Sequence, residues 1–405
     1  MVNTPQSVRE KIQEAKQKKL TELDLSNDLW TEEKDKLTEI PSEVFELEWL
    51  EVLKLRYNQI TTIPEAITRL QNLTQMDLSG NQIKTIPEVI TRLQNLTSLD
   101  LSNNQITTIP EVITRLQNLT SLSLSNNQIT TIPEVITCLQ NLTSLYLSGN
   151  QITTISEVIT RLQNLTSLFL GFNQITTIPE VITRLQKLTW LYLSGNQITT
   201  IPEVVTRLEN LTALFLSDNQ ITTIPEVITR LQNLTHLDLN RNQITTIPEV
   251  ITRLQNLTGL YLNRNQITTI PEFITRLEHL TYLDLSGNPI EKPPPEVVEK
   301  GIEAIRNYFR QLQAEGTDYI FRNGMFYLFI FVVVFSLIAF FGGSLPFHYL
   351  ALAILGTAIF IILIGVLQLR QDDRLSEKSF VELIKMVLKQ FPLIGNLIDM
   401  FQRGK

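Results

Sequence analysis

The sequence predicts an α/β solenoid, with a parallel β concave face and a short helical or irregular convex face, followed by a C-terminal helical hairpin and a tail helix. Three observations predict it. An asparagine recurs every 23 residues at Asn58, Asn81, Asn104, Asn127, Asn150, Asn173, Asn196, Asn219, Asn242, Asn265 and Asn288. Each closes the frame L-x-x-L-x-L-x-x-N-x-I, in which Met76 is the one replacement of leucine. Two apolar runs, 325–341 and 349–369, carry no charge.

A unit this short cannot close a core alone, so its leucines and isoleucines must be buried against neighbouring units. This is the grammar of a leucine-rich repeat. In the unit that follows Asn81, Leu96, Leu99 and Leu101 point inward from a strand, and Ser98, Asp100 and Ser102 point out on the concave side. Asn104 turns the chain, and stacked asparagines are expected to form a hydrogen-bonded ladder. Ile106, Ile109, Val112, Ile113 and Leu116 return along the back, with Pro110 starting a helical turn. Glu111 and Arg115, four apart, are expected to form a weak exposed helix pair.

The elements follow in order. Residues 1–19 are read as an N-terminal capping helix, opened by the capping box Ser7-Val8-Arg9-Glu10 and covering the first strand edge. The solenoid occupies 20–291, about 12 units. Its first unit keeps Leu20, Leu23 and Leu25 but has Asp28 in place of asparagine and an insertion of seven residues before Asn58. Residues 292–318 are read as a C-terminal cap and linker, from the stripe Ile302, Ile305, Phe309 and Leu312. The runs 325–341 and 349–369 have the length that spans a bilayer, roughly 17–25 residues. Arg306, Arg310 and Arg322 precede them, Arg370, Arg374 and Lys378 follow, and the connection holds no lysine or arginine, so both flanks are expected in the cytoplasm. The N-terminus has no apolar signal segment. An integral protein of a bacterial inner membrane is therefore expected, with repeats and tail cytoplasmic. In the tail, 376–405, Phe380, Leu383, Ile384, Val387, Leu388 and Phe391 share one helical face, suited to lying in the interface or to homo-oligomer formation.

Composition narrows the chemistry. Net charge is −7, from 34 Lys plus Arg against 41 Asp plus Glu, and there is no basic run, so nucleic acid is not expected as a partner. Cys138 is the only cysteine and stands where most units carry arginine, which excludes an internal disulfide and points to drift. The repeated Asn-Leu-Thr triplets look like glycosylation acceptors but belong to the repeat itself. His236, His279 and His348 are too scattered for a metal set, and no nucleophile motif is present, so no enzyme, cofactor or metal is expected.

Information about a ligand belongs where the concave face varies. Four residues before each asparagine stand Lys54, Asp77, Asp100, Ser123, Tyr146, Phe169, Tyr192, Phe215, Asp238, Tyr261 and Asp284. Two residues earlier the column is mostly serine until Trp190, then includes His236 and Tyr282. Immediately before the asparagine it offers Phe172, Asp218, Arg241 and Arg264. Together they predict an aromatic strip with a charged end, long enough for a protein or peptide, since aromatics and arginine carry interface energy. Rings stacking on one another across strands would give the same column without a partner.

The text from Asn288 to Phe321, NPIEKPPPEVVEKGIEAIRNYFRQLQAEGTDYIF, resembles the junction that joins repeats to the GTPase domain in bacterial Roco-family proteins, and the repeats resemble theirs. The P-loop G-x-x-x-x-G-K-[ST] that follows in that family is absent, so no nucleotide is expected. The resemblance implies a sensor or scaffold module detached from its usual output. Two functions are consistent with the whole: a membrane-held scaffold or receptor whose concave face binds a protein, and a membrane-perturbing effector whose output is the hairpin.

Overall fold

The computed structural model describes residues 4–28 and 30–315. The predicted spans 325–341 and 349–369 and the tail 376–405 lie outside the described residues. Among the described residues no helix is long and apolar enough to cross a membrane.

Twelve three-residue strands form one parallel sheet in chain order. They are β1 (Glu22–Asp24), β2 (Val52–Lys54), β3 (Gln75–Asp77), β4 (Ser98–Asp100), β5 (Ser121–Ser123), β6 (Ser144–Tyr146), β7 (Ser167–Phe169), β8 (Trp190–Tyr192), β9 (Ala213–Phe215), β10 (His236–Asp238), β11 (Gly259–Tyr261) and β12 (Tyr282–Asp284). From β2 onward the register advances by one 23-residue unit per step, as in Leu168↔Leu191 and Leu191↔Leu214. The frame leucines and isoleucines, such as Leu96, Leu99, Leu101, Ile106 and Ile113, form one continuous buried core.

The asparagine ladder exists, but its rungs run from side chain to backbone. Asn104 Nδ2 donates to the Leu78 carbonyl of the preceding unit and to Leu101 of its own, both at 3.0 Å, and its Oδ1 accepts the Ile83 N–H at 2.9 Å. One amide thus satisfies groups in two units, in a place too buried for water to do so. In the first unit Asn27, not Asp28, makes the side-chain bond to Asn58, at 2.7 Å.

The expected pairing of Glu111 with Arg115 does not form. The return segment is a 3₁₀ turn, Glu111–Arg115, entered from Pro110. At three residues per turn, side chains four apart sit about 120° apart around the axis, so they do not stack. Arg115 instead reaches Glu88, 27 residues back, at 3.1 Å, and the same step joins Arg161 to Glu134, Arg184 to Glu157, Arg207 to Glu180, Arg230 to Glu203 and Arg276 to Glu249. Cys138 is exposed and takes the place of the arginine that would reach Glu111 by this step.

At the N-terminus α1 (Gln6–Lys18) buries Val8, Ile12 and Ala15 and lies against β1, so the first edge is covered. The capping box is not used. The helix opens two residues earlier than expected, with Pro5 instead of Ser7 as N-cap and no side-chain cap, which places Ser7 inside the first turn. Leu20, expected inward, is 39% exposed. It follows the left-handed Lys19 that ends α1. Past β12 come α2 (Pro295–Val298) and a helical stretch over 302–315, both within the segment read as cap and linker.

Candidate protein-binding surface

The register sets the concave columns side by side. Tyr146, Phe169, Tyr192 and Phe215 are Cα partners in successive strands. Their rings follow one another at centroid distances of 4.6, 5.9 and 5.5 Å, and Trp190 lies 5.8 Å from Phe215. A second pair, Tyr261 with Tyr282, stands at 5.0 Å. Between the groups Asp238 occupies the same column, flanked by Phe215 and Tyr261. The strip is therefore two aromatic segments separated by a carboxylate.

Ring stacking accounts for part of the column. Tyr146, Phe169, Tyr192, Phe215 and Tyr261 are half-buried against their neighbours. The surface left to a partner is carried by Phe172, Trp190 and Tyr282, which are 56%, 45% and 53% exposed. Exposed large apolar side chains beside a half-buried aromatic row are the observation that needs a function.

Three small residues hold the rings in place. A Cβ on Gly171 would meet Tyr192 Cε1 at 2.3 Å and the Ser194 carbonyl at 2.9 Å. One on Gly259 would meet Tyr261 Cε2 at 3.0 Å and His236 at 3.1 Å. Ala213, buried, is the register partner of both Trp190 and His236. The sequence signal was present, since Gly171 interrupts a column of serines, but its meaning needs the neighbouring strand.

The position before each ladder asparagine is left-handed in all eleven units, from Tyr57 to Gly287. Glycine and asparagine fit there; Phe172, Arg241 and Arg264 do so at a cost of roughly 1–2 kcal/mol each. Phe172 leans over the next unit, where a Cβ on Gly195 would meet its ring at 2.5 Å. Strained backbone under an exposed side chain points to use of that side chain.

The polar members have local roles. Asp238 Oδ1 accepts the Asn240 N–H at 3.0 Å, as Asp77 accepts Ser79 and Asp100 accepts Ser102, so aspartate in this column closes the strand end. Burial among the rings, reinforced by the charges of Asp218 and Asp284, pushes the Asp238 carboxyl up against these hydrogen bonds. Burial, then Tyr282 and the two carboxylates of Asp238 and Asp284, raises the Tyr261 phenol. His236 Nδ1 lies 3.0 Å from Thr235 Oγ1. Arg241 pairs with Asp218 at 3.4 Å, while Arg264 is exposed. No group of metal-ligating side chains occurs among the described residues.

Away from the rings, shallow grooves follow the opposite rim, lined by asparagine and threonine. Their polar atoms are engaged: Asn95 Nδ2 donates to the Gln71 carbonyl at 2.9 Å, and Thr97 Oγ1 to that of Thr74 at 3.0 Å. The Asn-Leu-Thr triplets are structural. Trp30, in the insertion of the first unit, is 92% exposed and was not singled out by sequence, because no periodicity marks a loop.

A family model described as "Leucine rich repeat" matches residues 33–83, 94–152, 140–198 and 233–290, and one described as "Leucine Rich repeats (2 copies)" matches 71–116, 186–225 and 209–252. Among solved structures, a leucine-rich repeat protein of Leptospira interrogans is 31% identical, with 74% of this chain and 91% of that one covered at a TM-score of 0.53. An internalin from Listeria monocytogenes is 27% identical over 72% of this chain and 92% of its own, with a TM-score of 0.58. A plant peptide hormone receptor, RGFR1, in complex with RGF2 is 32% identical over 68% of this chain and 45% of its own, with a TM-score of 0.54. Comparison with curated proteins gives no match.

Proposed function

The chain belongs to the leucine-rich repeat family, and from that premise we propose that it is a binding protein without catalytic activity whose concave face, from Tyr146 to Tyr282, receives a protein or peptide. The observation that carries this reading is the exposure of Phe172, Trp190 and Tyr282 around a half-buried aromatic row. Stacking explains the row; Trp190 and Tyr282 each meet one of its rings and Phe172 meets none of them, yet all three stay about half exposed. The similar plant receptor solved with its hormone supports a peptide or protein as the class of ligand.

In this proposal the apolar runs 325–341 and 349–369 hold the repeats at a membrane with both flanks on the cytoplasmic side, as their flanking arginines suggest. The junction resembling that of Roco-family proteins supports a module that senses or scaffolds, separated from a GTPase.

The test uses the full chain as bait in the cells that express it. Phe172→Ala with Trp190→Ala is expected to lose the captured partner while unfolding as the wild type does. Capture unchanged by both substitutions would remove the concave site. Protease access to an N-terminal tag in stripped cells, against inside-out vesicles, decides the topology: digestion in vesicles alone supports it, and digestion in stripped cells inverts it.

A further inference from the structure

Along one column, strands β9 to β12 place Phe215, Asp238, Tyr261 and Asp284 in consecutive register, so rings alternate with carboxylates. Tyr282 stands beside Tyr261 at 5.0 Å. Gly259 supplies no side chain next to Asp238's neighbour Tyr261, and a Cβ there would press on that ring. Neither Asp238 nor Asp284 has an ion-pair partner among the described residues, and the arginines of this region sit on the left-handed rim, where Arg241 takes Asp218. Asp238 is half-buried in this setting.

We propose, on the footing of the concave-face reading above, that this row is the receiving site for a cationic side chain, arginine or lysine, of the peptide or protein partner. The cation would lie over the Tyr261 ring with Asp238 on one side and Asp284 on the other. Ring quadrupole and carboxylates then act on the same charge, in a place where water is already partly excluded. Aspartate as a strand-end turn residue explains the Asn240 bond but not the choice of ring neighbours. Asp77 and Asp100 make the same turn with no aromatic residue in the adjacent registers of their column. Charge complementarity selects the occupant: two carboxylates on either side of the Tyr261 ring favour a cation and repel an acidic segment.

The experiment is selection of random decapeptides on the detergent-solubilised full chain. Retained peptides are expected to carry arginine or lysine, and to weaken about tenfold when that residue becomes citrulline or norleucine, in line with a desolvated cation–π contact. Asp238→Asn, which keeps the Oδ1 acceptor, and Tyr261→Ala are expected to abolish the cationic preference, whereas Asp77→Asn and Asp100→Asn leave it. Peptides retained on Trp190 and Phe172 without cationic preference would overturn this inference and leave the binding surface standing. No peptide retained at all would also overturn this inference, and the concave-face reading would then stand or fall on partner capture alone.

Discussion

The two halves of the concave face share a framework and differ in what they display. From β2 to β5 the outward column reads Lys54, Asp77, Asp100 and Ser123; from β6 to β12 it reads Tyr146, Phe169, Tyr192, Phe215, Asp238, Tyr261 and Asp284. Ladder asparagines, buried leucines and strand register are the same on both sides. Since the sheet forms with serine in the column, the rings are not needed to make it. What differs between the halves is therefore surface chemistry laid on a constant scaffold.

That comparison can be tested first where the halves should agree. Asn104→Ala in the polar half and Asn196→Ala in the aromatic half each remove three donated bonds and one accepted bond from a buried site. Each is expected to cost about 2–4 kcal/mol, because buried backbone groups lose their partners. Urea unfolding should give equal losses; unequal ones would show that the scaffold is not constant.

A smaller effect should separate them. Gly171→Ala drives a Cβ into the Tyr192 ring and the Ser194 carbonyl, so a loss of about 1–3 kcal/mol is expected. Ser125→Ala, at the equivalent position in the polar half, should be close to neutral in the same assay. Phe172→Gly should gain between zero and about 1 kcal/mol, as relief of the left-handed strain outweighs lost packing and the added chain entropy. It should also weaken partner capture, whereas Asn103→Gly should change neither. A loss of stability in Phe172→Gly would mean that the ring is structural.

The smallest expected effect is one of pH. Folding raises the Asp238 carboxyl, chiefly through burial. A raised acid favours the folded state when protonated, so its contribution is present below the unfolded value and is lost as pH rises through the folded one. Asp238→Asn does not titrate and should be the more stable protein at neutral pH, with the advantage shrinking on acidification. Unfolding midpoints at the two ends of that range check the sign.

Much of this was legible in the sequence. Strand, ladder asparagine and turn positions follow from the frame, because each is fixed by burial within a repeating unit. The pairing of Arg115 was not, since the i,i+4 rule assumes an α-helix and the return segment is a 3₁₀ turn. Nor was the division of the aromatic strip into half-buried and exposed rings, since the space beside the rings depends on Gly171, Ala213 and Gly259 in adjacent strands. The left-handed position could have been read from its glycines and asparagines, with Phe172, Arg241 and Arg264 then standing out against them.

The reach of the asparagine and arginine side chains into the preceding unit makes the solenoid a ruler with interchangeable divisions. Excising one 23-residue unit from the polar half would leave every remaining amide and guanidinium facing a residue of the same type. The aromatic segment would simply move about 4.8 Å nearer the N-terminal cap. Distance between cap and binding surface can thus be changed by whole units without rewriting a contact, which makes length a property that can vary independently of specificity.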